Sequence, residues 1–206
     1  NKIKSTNTSI SKSYGISISL HFNETSYSGS GAGLIANNEI ILYSNSSNPS
    51  GISLHDPYSN VQVLHNSIYM YGTGISYAIY DDNSTTSYRP VIKNNILVTA
   101  ADSSSYPIRF MSTYYTSAYH IVDYNNYYST GPYIAYAGSS ISSLSALQSA
   151  TGQDKNSKNI APLFIDPTND LQLSNYSGFN CPKPSDVLLD IRKNTRSDST
   201  KMGCYE

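Results

Sequence analysis

The chain of 206 residues has no tryptophan, four phenylalanines, two cysteines and few charged side chains. Charged residues make up 13% of it and the formal net charge is −1, so it lacks the basic patch expected of a nucleic-acid-binding protein. No run of about 20 apolar residues occurs, and we therefore predict no membrane-spanning helix. The first residue is Asn1 rather than methionine, and we expect the chain to be a piece of a longer protein.

The abundant residue is tyrosine, with 20 copies, and serine and asparagine are also frequent. Tyrosine and β-branched residues favour strands, whereas asparagine, serine and glycine favour turns. The hydrophobic content of 38% is too high for a disordered chain. This composition predicts a β-rich fold with many turns, which is typical of cell-surface proteins.

A short motif recurs along the chain at steps of 28, 28 and 31 residues. Its copies are Ile35-x-x-Asn38-x-Ile40, Val63-x-x-Asn66-x-Ile68, Val91-x-x-Asn94-x-Ile96 and Val122-x-x-Asn125-x-Tyr127. Steps of this length, with short alternating strands between the motifs, indicate a solenoid. We predict an all-β parallel β-helix of about five coils, in which each strand pairs with its counterpart about 4.8 Å away. An antiparallel sandwich is the rival fold, but it does not explain the fixed register of the asparagine.

The repeated asparagines have a structural interpretation. Asn38, Asn66, Asn94 and Asn125 each follow one short strand and precede the next. Asparagine tolerates the left-handed conformation that such a bend can require. Stacked amides can also donate and accept along a ladder, as they do in cross-β structures. We therefore expect these four residues to form an asparagine ladder rather than a binding site.

The motif V-x-x-N-x-I resembles the coil repeat of the right-handed parallel β-helix, or pectate-lyase-like, superfamily. The resemblance covers about residues 1–138 and implies the fold rather than an activity. The strings DYNNYYST, PLFIDPTNDLQLS and MGCYE are similar to the C-terminal part of secreted β-helix proteins of the Bacteroidetes type. This second resemblance implies an extracellular or cell-surface location, and the partial motif at Asn1 implies further coils upstream.

Residues 139–206 depart from the repeat, and we predict that they form a capping tail within the same domain. Ile141, Leu144, Leu147 and Ala150 lie at helical spacing, and Gly152 is suited to end a helix. The last coil of a solenoid exposes unpaired backbone groups and needs a cap. We expect the helix and the extended segments after it to cover or flank the C-terminal end.

The two cysteines lie close together near the end of the tail. Cys181 and Cys204 have two alternatives: a disulfide, which an extracellular location would favour, or two buried free thiols. Composition leaves both alternatives open. In the proteins that the tail resembles, a small residue is common where this chain has Cys204, which slightly favours the disulfide.

The sequence contains no recognisable catalytic centre, and we predict no catalytic residue. Asp81 and Asp82 form an acidic pair, but they lie in a predicted turn, where a solvated role is favoured. The separated NTD, DD and GHG motifs of the galacturonases are missing apart from this pair. Metal-ligand spacing is also missing, so we predict no cofactor, and calcium has no visible cluster of ligands.

The weak candidates for ligand binding are outward-facing side chains. If Ile40, Ile68, Ile96 and Tyr127 point inward, the next residue along each strand points outward. Arg109 is predicted to point outward because it lies between apolar neighbours. The candidate set is Tyr43, Tyr69, Tyr71, Tyr128 and Arg109. Such tyrosines can stack on sugar rings and bond to sugar hydroxyls. The alternative is that they pack against each other across neighbouring coils, or that a loop or a neighbouring domain covers them.

Three functions are therefore compatible with the sequence. The first is a polysaccharide-binding domain of a larger secreted protein. The second is a polysaccharide lyase or glycoside hydrolase whose active site lies largely in upstream coils, because such enzymes need clustered carboxylates or basic residues that this chain lacks. The third is a structural adhesin or stalk module, since the fold does not determine the function.

Overall fold

The computed structural model describes residues 1–6, 14–19, 33–45, 48–55, 61–82, 89–102, 104–111 and 120–206. The elements of this part of the chain are, in order, β1 (Lys2–Ser5), β2 (Tyr14–Ser19), β3 (Leu34–Ala36), β4 (Glu39–Ser44), β5 (Ser50–His55), β6 (Gln62–Leu64), β7 (Ser67–Gly72), β8 (Tyr77–Asp81), β9 (Val91–Lys93), β10 (Ile96–Ala100), β11 (Tyr106–Phe110), β12 (Ile121–Asp123), β13 (Asn126–Ser129), β14 (Ala135–Ala137), β15 (Ser140–Ile141), α1 (Leu144–Thr151), β16 (Phe164–Asp166), β17 (Asp170–Leu173), β18 (Asn180–Pro182) and β19 (Ser199–Lys201).

Three stacked parallel sheets form the body of the molecule. Sheet A has the order β1-β4-β7-β10-β13, sheet B contains β2-β5-β8-β11-β14 with β15 antiparallel at its end, and sheet C has the order β3-β6-β9-β12. Consecutive strands of the chain enter sheets A, B and C in turn, and each strand pairs with its counterpart from the preceding pass. This mostly β, solenoid-like arrangement is compatible with a parallel β-helix, and its parallel pairing contradicts the rival sandwich.

The interior is filled by mostly aliphatic side chains, with one tyrosine, that occupy equivalent positions in successive strands. Three such columns are Ile40, Ile68, Leu97 and Tyr127 in sheet A, Ile52, Ile79 and Ile108 in sheet B, and Val63, Ile92 and Val122 in sheet C. All of them are buried. Burying one such side chain contributes about 1.5–3 kcal/mol, so these columns hold the three sheets together.

An asparagine ladder runs along the bend between sheets C and A, through Asn38, Asn66, Asn95 and Asn125. Each Nδ2 donates to the Oδ1 of the next member, over 2.8, 3.0 and 2.9 Å. Each of these acceptor oxygens also accepts the backbone N–H of the preceding asparagine, at 2.9–3.1 Å. The amides therefore satisfy backbone groups that the bend would otherwise leave buried and unpaired.

The prediction that Asn94 belongs to this ladder is wrong by one residue. Asn94 has a left-handed backbone, with φ of 60°, and its Nδ2 donates to His65 Nε2 and to the Pro182 carbonyl, at 2.9 Å each. The residue before each of the other ladder asparagines is also left-handed; these residues are Asn37, His65 and Tyr124. The bend therefore precedes the ladder residue, and none of the ladder asparagines is left-handed.

The same shift changes the orientation of Ile96. Its register partner is Ser67, whereas Leu97 pairs with Ile68 and faces the interior. Ile96 faces outward from sheet A and is nevertheless only 1% exposed, because the tail covers it. The expectation that Ile96 points inward is therefore wrong.

The predicted short helix is present and packs against β14 and β15, the last strands of sheet B. Ser143 caps α1 by accepting the N–H of Ala146, and Gly152 ends the helix with φ of 69°. Leu147 packs into the same core as Ile141, whereas Ala150 is exposed. The segment after the helix continues the stacking and ends the ladder: Asp154 N donates to the Val122 carbonyl, Lys158 N donates to the Asn125 carbonyl, and Ser157 Oγ accepts the Asn125 N–H.

The rest of the tail lies along the outer face of sheet A instead of at the C-terminal end. Two short antiparallel pairs, β16–β17 and β18–β19, belong to it. Ile96 and Val98 on sheet A pack against tail residues that include Phe179 and Met202. The sheet presents outward aliphatic side chains here, and covering them removes apolar surface from water.

Buried polar groups fix the tail to the sheets. The Glu39 carboxylate is 1% exposed and accepts the Leu171 N–H at 3.0 Å and the Tyr205 hydroxyl. The buried Arg196 guanidinium donates to Asn37 Oδ1 at 2.7 Å. His65 Nδ1 faces tail carbonyls, and burial together with the charge of Arg196 lowers the pKa of His65 to about 3, so the ring is neutral.

Cys181 and Cys204 are both buried free thiols. Burial raises the pKa of each thiol to about 12, so both stay protonated at neutral pH. Of the two alternatives left open by the sequence, the structure has the unbonded one.

Candidate functional site

The outer face of sheet B carries a cleft whose shape follows from the side-chain sizes in successive strands. Outward positions stack in columns, because each strand pairs in register with the next, about 4.8 Å away. The cleft is formed by two columns: Tyr14, Ser50, Tyr77 and Tyr106, and Ser17, Ser53, Tyr80, Arg109 and Tyr136. Strand β5 contributes serines to both columns, whereas β8 and β11 contribute tyrosines and an arginine. The small side chains of β5 therefore leave a depression of about 310 Å³.

The cleft has a buried floor and an exposed rim. Ser50 and Ser53 form part of the floor and are 2% and 0% exposed, while Tyr14 and Met111 on the rim are 41% and 44% exposed. The exposed Asn48 adds an uncharged amide to the lining. A volume of this size is at the lower end of the range for small-ligand sites, about 300–1,000 Å³.

Arg109 lies in a cage of aromatic rings beside the cleft. Its guanidinium carbon is 5.0 Å from the ring centre of Tyr77, 4.8 Å from that of Tyr136 and 5.9 Å from that of Tyr106. Nη1 donates to the Tyr77 hydroxyl at 2.8 Å, and Nε donates to Met111 Sδ at 3.1 Å. These contacts hold an extended cationic side chain in one orientation over the sheet.

The tyrosines of the first column form a stack that supports this cage. Tyr77 and Tyr106 are 6.3 Å apart with an interplanar angle of 20°, and Tyr106 and Tyr133 are 5.8 Å apart at 22°. Burial raises the pKa of Tyr77, with Arg109 acting in the opposite direction. Burial, followed by the charge of Asp82, raises the pKa of Tyr80. Both hydroxyls therefore remain protonated at neutral pH and can donate hydrogen bonds.

His55 forms one wall of the cleft and is held at both ring nitrogens. Nδ1 is 2.9 Å from Asp82 Oδ2, and Nε2 is 2.8 Å from Ser53 Oγ. A carboxylate only accepts, so Nδ1 carries a proton and donates to Asp82. The ring also lies 6.3 Å from Tyr14 and 5.7 Å from Tyr80, which gives the wall an aromatic surface.

The order Ser53–His55–Asp82 is that of the serine hydrolase triad, but the geometry does not support a nucleophile. Ser53 is 0% exposed at the base of the cleft, beneath His55. A substrate carbonyl carbon must reach the nucleophilic oxygen, and here it cannot do so. The contacts with Ser53 and Asp82 therefore serve to orient the imidazole of His55. We assign no catalytic role to these three residues.

The five predicted ligand-binding residues lie in two separate places. Arg109 faces outward beside the cleft, as its apolar neighbours indicated. Tyr43, Tyr69, Tyr71 and Tyr128 are half-buried on the outer face of sheet A. Tyr69 stacks on Tyr71 at 5.7 Å, and Tyr43 meets Tyr71 edge-on at 5.3 Å. Tyr69 and Tyr128 also pack against the tail, as the alternative of a covered surface predicted.

A second, apolar groove lies between these tyrosines and the tail. It has a volume of about 250 Å³ and is lined by Tyr69 and Tyr128 together with Val98, Leu163 and Phe164. The phenol and threonine hydroxyls are the polar side-chain groups in its lining. The sheet B cleft, by contrast, brings a guanidinium, an imidazole, an amide and hydroxyls together with aromatic rings, which is the arrangement expected of a specific ligand site.

Sequence reasoning missed most of the cleft. The strings GISI and GISL mark equivalent strands, since Ile16 pairs with Ile52. The string GISY is out of this register: aligning it with GISL places Ser53 opposite Ser76, whereas the structure pairs Ser53 with Tyr80. The following Asp56 and Pro57 are residues typical of a turn, but His55 itself lies at the end of β5.

The interpretation of Asp81 as part of a solvated turn is wrong. Asp81 is on β8, is 1% exposed and faces the interior, where its Oδ2 lies 2.9 Å from His120 Nε2. His120 is also 1% exposed and meets the ring of Phe110 edge-on. Only Asp82 of the acidic pair reaches the surface, where it holds His55.

Searches for metal and membrane features were made over the described ranges only. No group of three or more histidine, cysteine, aspartate or glutamate side chains there could hold a metal ion. The same part of the chain contains no helix with the length and apolarity needed to span a bilayer.

Comparison with known protein families, curated proteins and solved structures finds no significant match to the chain.

Proposed function

We propose that the chain is a secreted or cell-surface domain that binds extracellular polysaccharide through the sheet B cleft, as part of a larger protein. We propose further that its fold is a right-handed parallel β-helix of about five coils, of the pectate-lyase-like superfamily. Its tail would then be the C-terminal part of a secreted Bacteroidetes-type protein. The stacked parallel sheets and the sequence resemblance support this assignment.

The observation that carries the function is the convergence of aromatic rings and hydrogen-bonding groups in one depression. Sugars have apolar ring faces and many hydroxyls, and tyrosine offers a flat surface with a polar tip. Tyr14, Tyr80 and His55 supply the rings, while Asn48 and Arg109 supply polar groups. The proposal requires no metal or organic cofactor.

A catalytic role has less support than binding. A glycoside hydrolase needs two carboxyl groups at a set separation. Among the described residues the cleft lining includes no carboxylate, and Asp82 reaches it only through its contact with His55. We therefore assign no catalytic residue.

The experiment compares the wild-type chain with two cleft variants by affinity electrophoresis in gels that contain single polysaccharides. Ser50→Tyr fills the cleft while extending the existing tyrosine column between Tyr14 and Tyr77, and Tyr80→Ala removes an aromatic wall. Circular dichroism and urea unfolding check that both variants fold. We expect the wild type to be retarded by at least one polysaccharide and both variants to lose about tenfold or more in affinity.

Tyr71→Ala tests the rival surface on sheet A. We expect it to bind like the wild type, because Tyr71 is remote from the cleft lining. Loss of binding in Tyr71→Ala alone would move the site to sheet A. Indifference of the wild-type chain to every polysaccharide would reject the function.

A further inference from the structure

The aromatic rings of the sheet B cleft form a box rather than a flat platform. Four rings of the lining make a continuous chain of contacts, and we call this set, Tyr14, His55, Tyr80 and Tyr77, the aromatic box. Neighbouring ring centres are 6.3, 5.7 and 5.5 Å apart, and interplanar angles of 88°, 49° and 38° turn successive rings in different directions. A planar ring placed among them can make the edge-to-face and offset contacts that aromatic pairs prefer.

The space within the aromatic box has room for one substituted ring. A cavity of about 150 Å³ holds benzene, and the depression measures about 310 Å³. Its floor carries the small side chains of Ser50 and Ser53, which are almost completely buried. A six-membered aromatic ring therefore fits above the two serines and leaves space for a substituent of a few atoms.

The Arg109 guanidinium supplies an anion-binding group at one side of this space. Nη1 donates to the Tyr77 hydroxyl and Nε donates to Met111 Sδ, whereas both N–H groups of Nη2 and one of Nη1 have no acceptor among the described residues. The Tyr77 hydroxyl accepts from Arg109 and can still donate its own proton. The described part of the lining contains no carboxylate that would compete for these donors. A carboxylate is an acceptor that matches the guanidinium geometry.

The positions of the charged groups give such a ligand one orientation. Arg109 lies on β11 and His55 on β5, which are two strand spacings, or about 9.6 Å, apart. The Asp82 carboxylate lies outside the lining and is bonded to His55 on the β5 side. A ligand carboxylate next to Arg109 is therefore on the opposite side from Asp82, and the attached ring extends over the serines of β5.

We propose that the cleft binds a small aromatic carboxylate, with its ring in the aromatic box and its carboxylate on Arg109 and the Tyr77 hydroxyl. This ligand class goes beyond the proposed polysaccharide and does not depend on it. A sugar ring is puckered and carries hydroxyls around its edge, whereas the edge of an arene is apolar and positively polarised, which suits the faces of Tyr14 and Tyr80. Both ligands would occupy the same cleft and should compete for it.

The test is isothermal titration of the full chain with probes that separate the ring from the charge. Benzoate, 4-hydroxybenzoate and cinnamate have both features, methyl benzoate lacks the charge, and cyclohexanecarboxylate and glucuronate lack the aromatic ring. We expect at least one aromatic acid to bind saturably, and about tenfold or more tighter than all three comparison probes. Its affinity should fall between about 0.05 and 0.5 M NaCl, because a partly exposed ion pair forms on binding.

Three positions are changed to locate the ligand. Arg109→Gln removes the charge and should weaken binding of the aromatic acid about tenfold or more, without changing the weak binding of methyl benzoate. Arg109→Lys serves where Arg109→Gln fails to fold, and its affinity should also fall because an ammonium does not reproduce the guanidinium fork. Ser50→Tyr fills the box and should abolish binding, whereas Tyr71→Ala on sheet A is the matched control and should bind like the wild type. Circular dichroism and urea unfolding check the fold of each variant.

The opposite results have separate meanings. Cyclohexanecarboxylate or glucuronate binding as tightly as the aromatic acids would show that the box does not select an aromatic ring, and equal affinity for methyl benzoate would remove Arg109 from the site. Either result overturns the proposed ligand class. Failure of every aromatic acid to bind, or binding that survives Ser50→Tyr, overturns the proposal as a whole. The affinity gels are an independent measurement: retardation without binding of an aromatic acid rejects this ligand alone, and the converse rejects the polysaccharide alone.

Discussion

The buried carboxyl group of Asp154 gives a quantitative prediction about the stability of the C-terminal cap. Asp154 is 1% exposed; its Oδ1 accepts the hydroxyls of Tyr127 and Ser157 at 2.7 Å each, while Oδ2 has no partner. Burial raises the pKa of Asp154 from 3.8 to about 7, against the opposing effect of these two hydrogen bonds. The folded chain therefore keeps a proton that the unfolded chain releases near pH 4.

The free energy of unfolding follows from this difference in proton binding. Between about pH 4 and pH 7 the unfolded state binds fewer protons than the folded state, so the contribution of Asp154 falls as the pH rises. The gap between 3.8 and about 7 corresponds to a loss of about 4 kcal/mol, complete above pH 7. Asp154→Asn imitates the protonated form, because its amide oxygen can accept the same two hydroxyls.

Urea unfolding at several pH values measures the effect. We expect Asp154→Asn to match the wild type at pH 4 and to exceed its stability by up to about 4 kcal/mol at pH 8. Asp123→Asn is the matched control, because that carboxylate accepts the N–H groups of Tyr124 and Asn156, and losing an acceptor lowers stability at both pH values. A difference between Asp154→Asn and wild type that stays constant with pH would refute the reasoning.

The pH dependence of His65 opposes that of Asp154, so the stability of Asp154→Asn shows the effect of His65 more clearly than that of the wild type. Its pKa falls from 6.5 to about 3 on folding, so the unfolded state binds more protons between these values and stability rises with pH. Asp154 and His65 therefore contribute slopes of opposite sign, about 1.4 kcal/mol per pH unit each, between pH 4 and 6.5. Their contributions offset each other in the wild type, and Asp154→Asn should expose the rising slope.

Two further predictions test the ladder and the tail. Asn66→Ala removes an amide that forms hydrogen bonds with Asn38, Asn95 and two backbone carbonyls. It should lower the free energy of unfolding by about 3 kcal/mol or more, whereas a loss below about 1 kcal/mol would contradict the ladder. Ile96→Ala should cost about 2–4 kcal/mol in the same urea assay because the tail buries it, whereas an outward isoleucine on a bare sheet would cost less than about 1 kcal/mol.

The repeat was predictable because equivalent positions in successive passes of a solenoid carry similar residues at nearly constant spacing in the sequence. The single-residue slip at Asn94 has a physical cause: the bend needs a left-handed residue followed by a ladder amide, and asparagine can fill both positions. Where two asparagines are adjacent, as in Asn94-Asn95, the sequence alone does not distinguish their roles. At His65-Asn66 the residue types differ, and the assignment of the ladder amide was correct.

The position of the tail was harder to predict, because its contacts are not periodic. The start and end of α1 follow from local signals at Ser143 and Gly152. The packing of Phe179 and Met202 over sheet A depends on long-range contacts that no local pattern encodes. The available signal was the row of outward aliphatic side chains on sheet A, which an uncovered face would expose to water.

The cleft shows how a solenoid can form a depression on one face without any change of fold. A column of outward residues is continuous where each strand contributes a side chain of similar size, and Tyr77, Tyr106 and Tyr133 form such a surface. One strand with small residues interrupts the column and opens a depression with aromatic walls, as β5 does with Ser50 and Ser53. Because the backbone register is set by the interior columns, the outward residues can vary at little cost to stability. In this chain the place to look for function is therefore where an outward column is interrupted, rather than where the repeat is most regular.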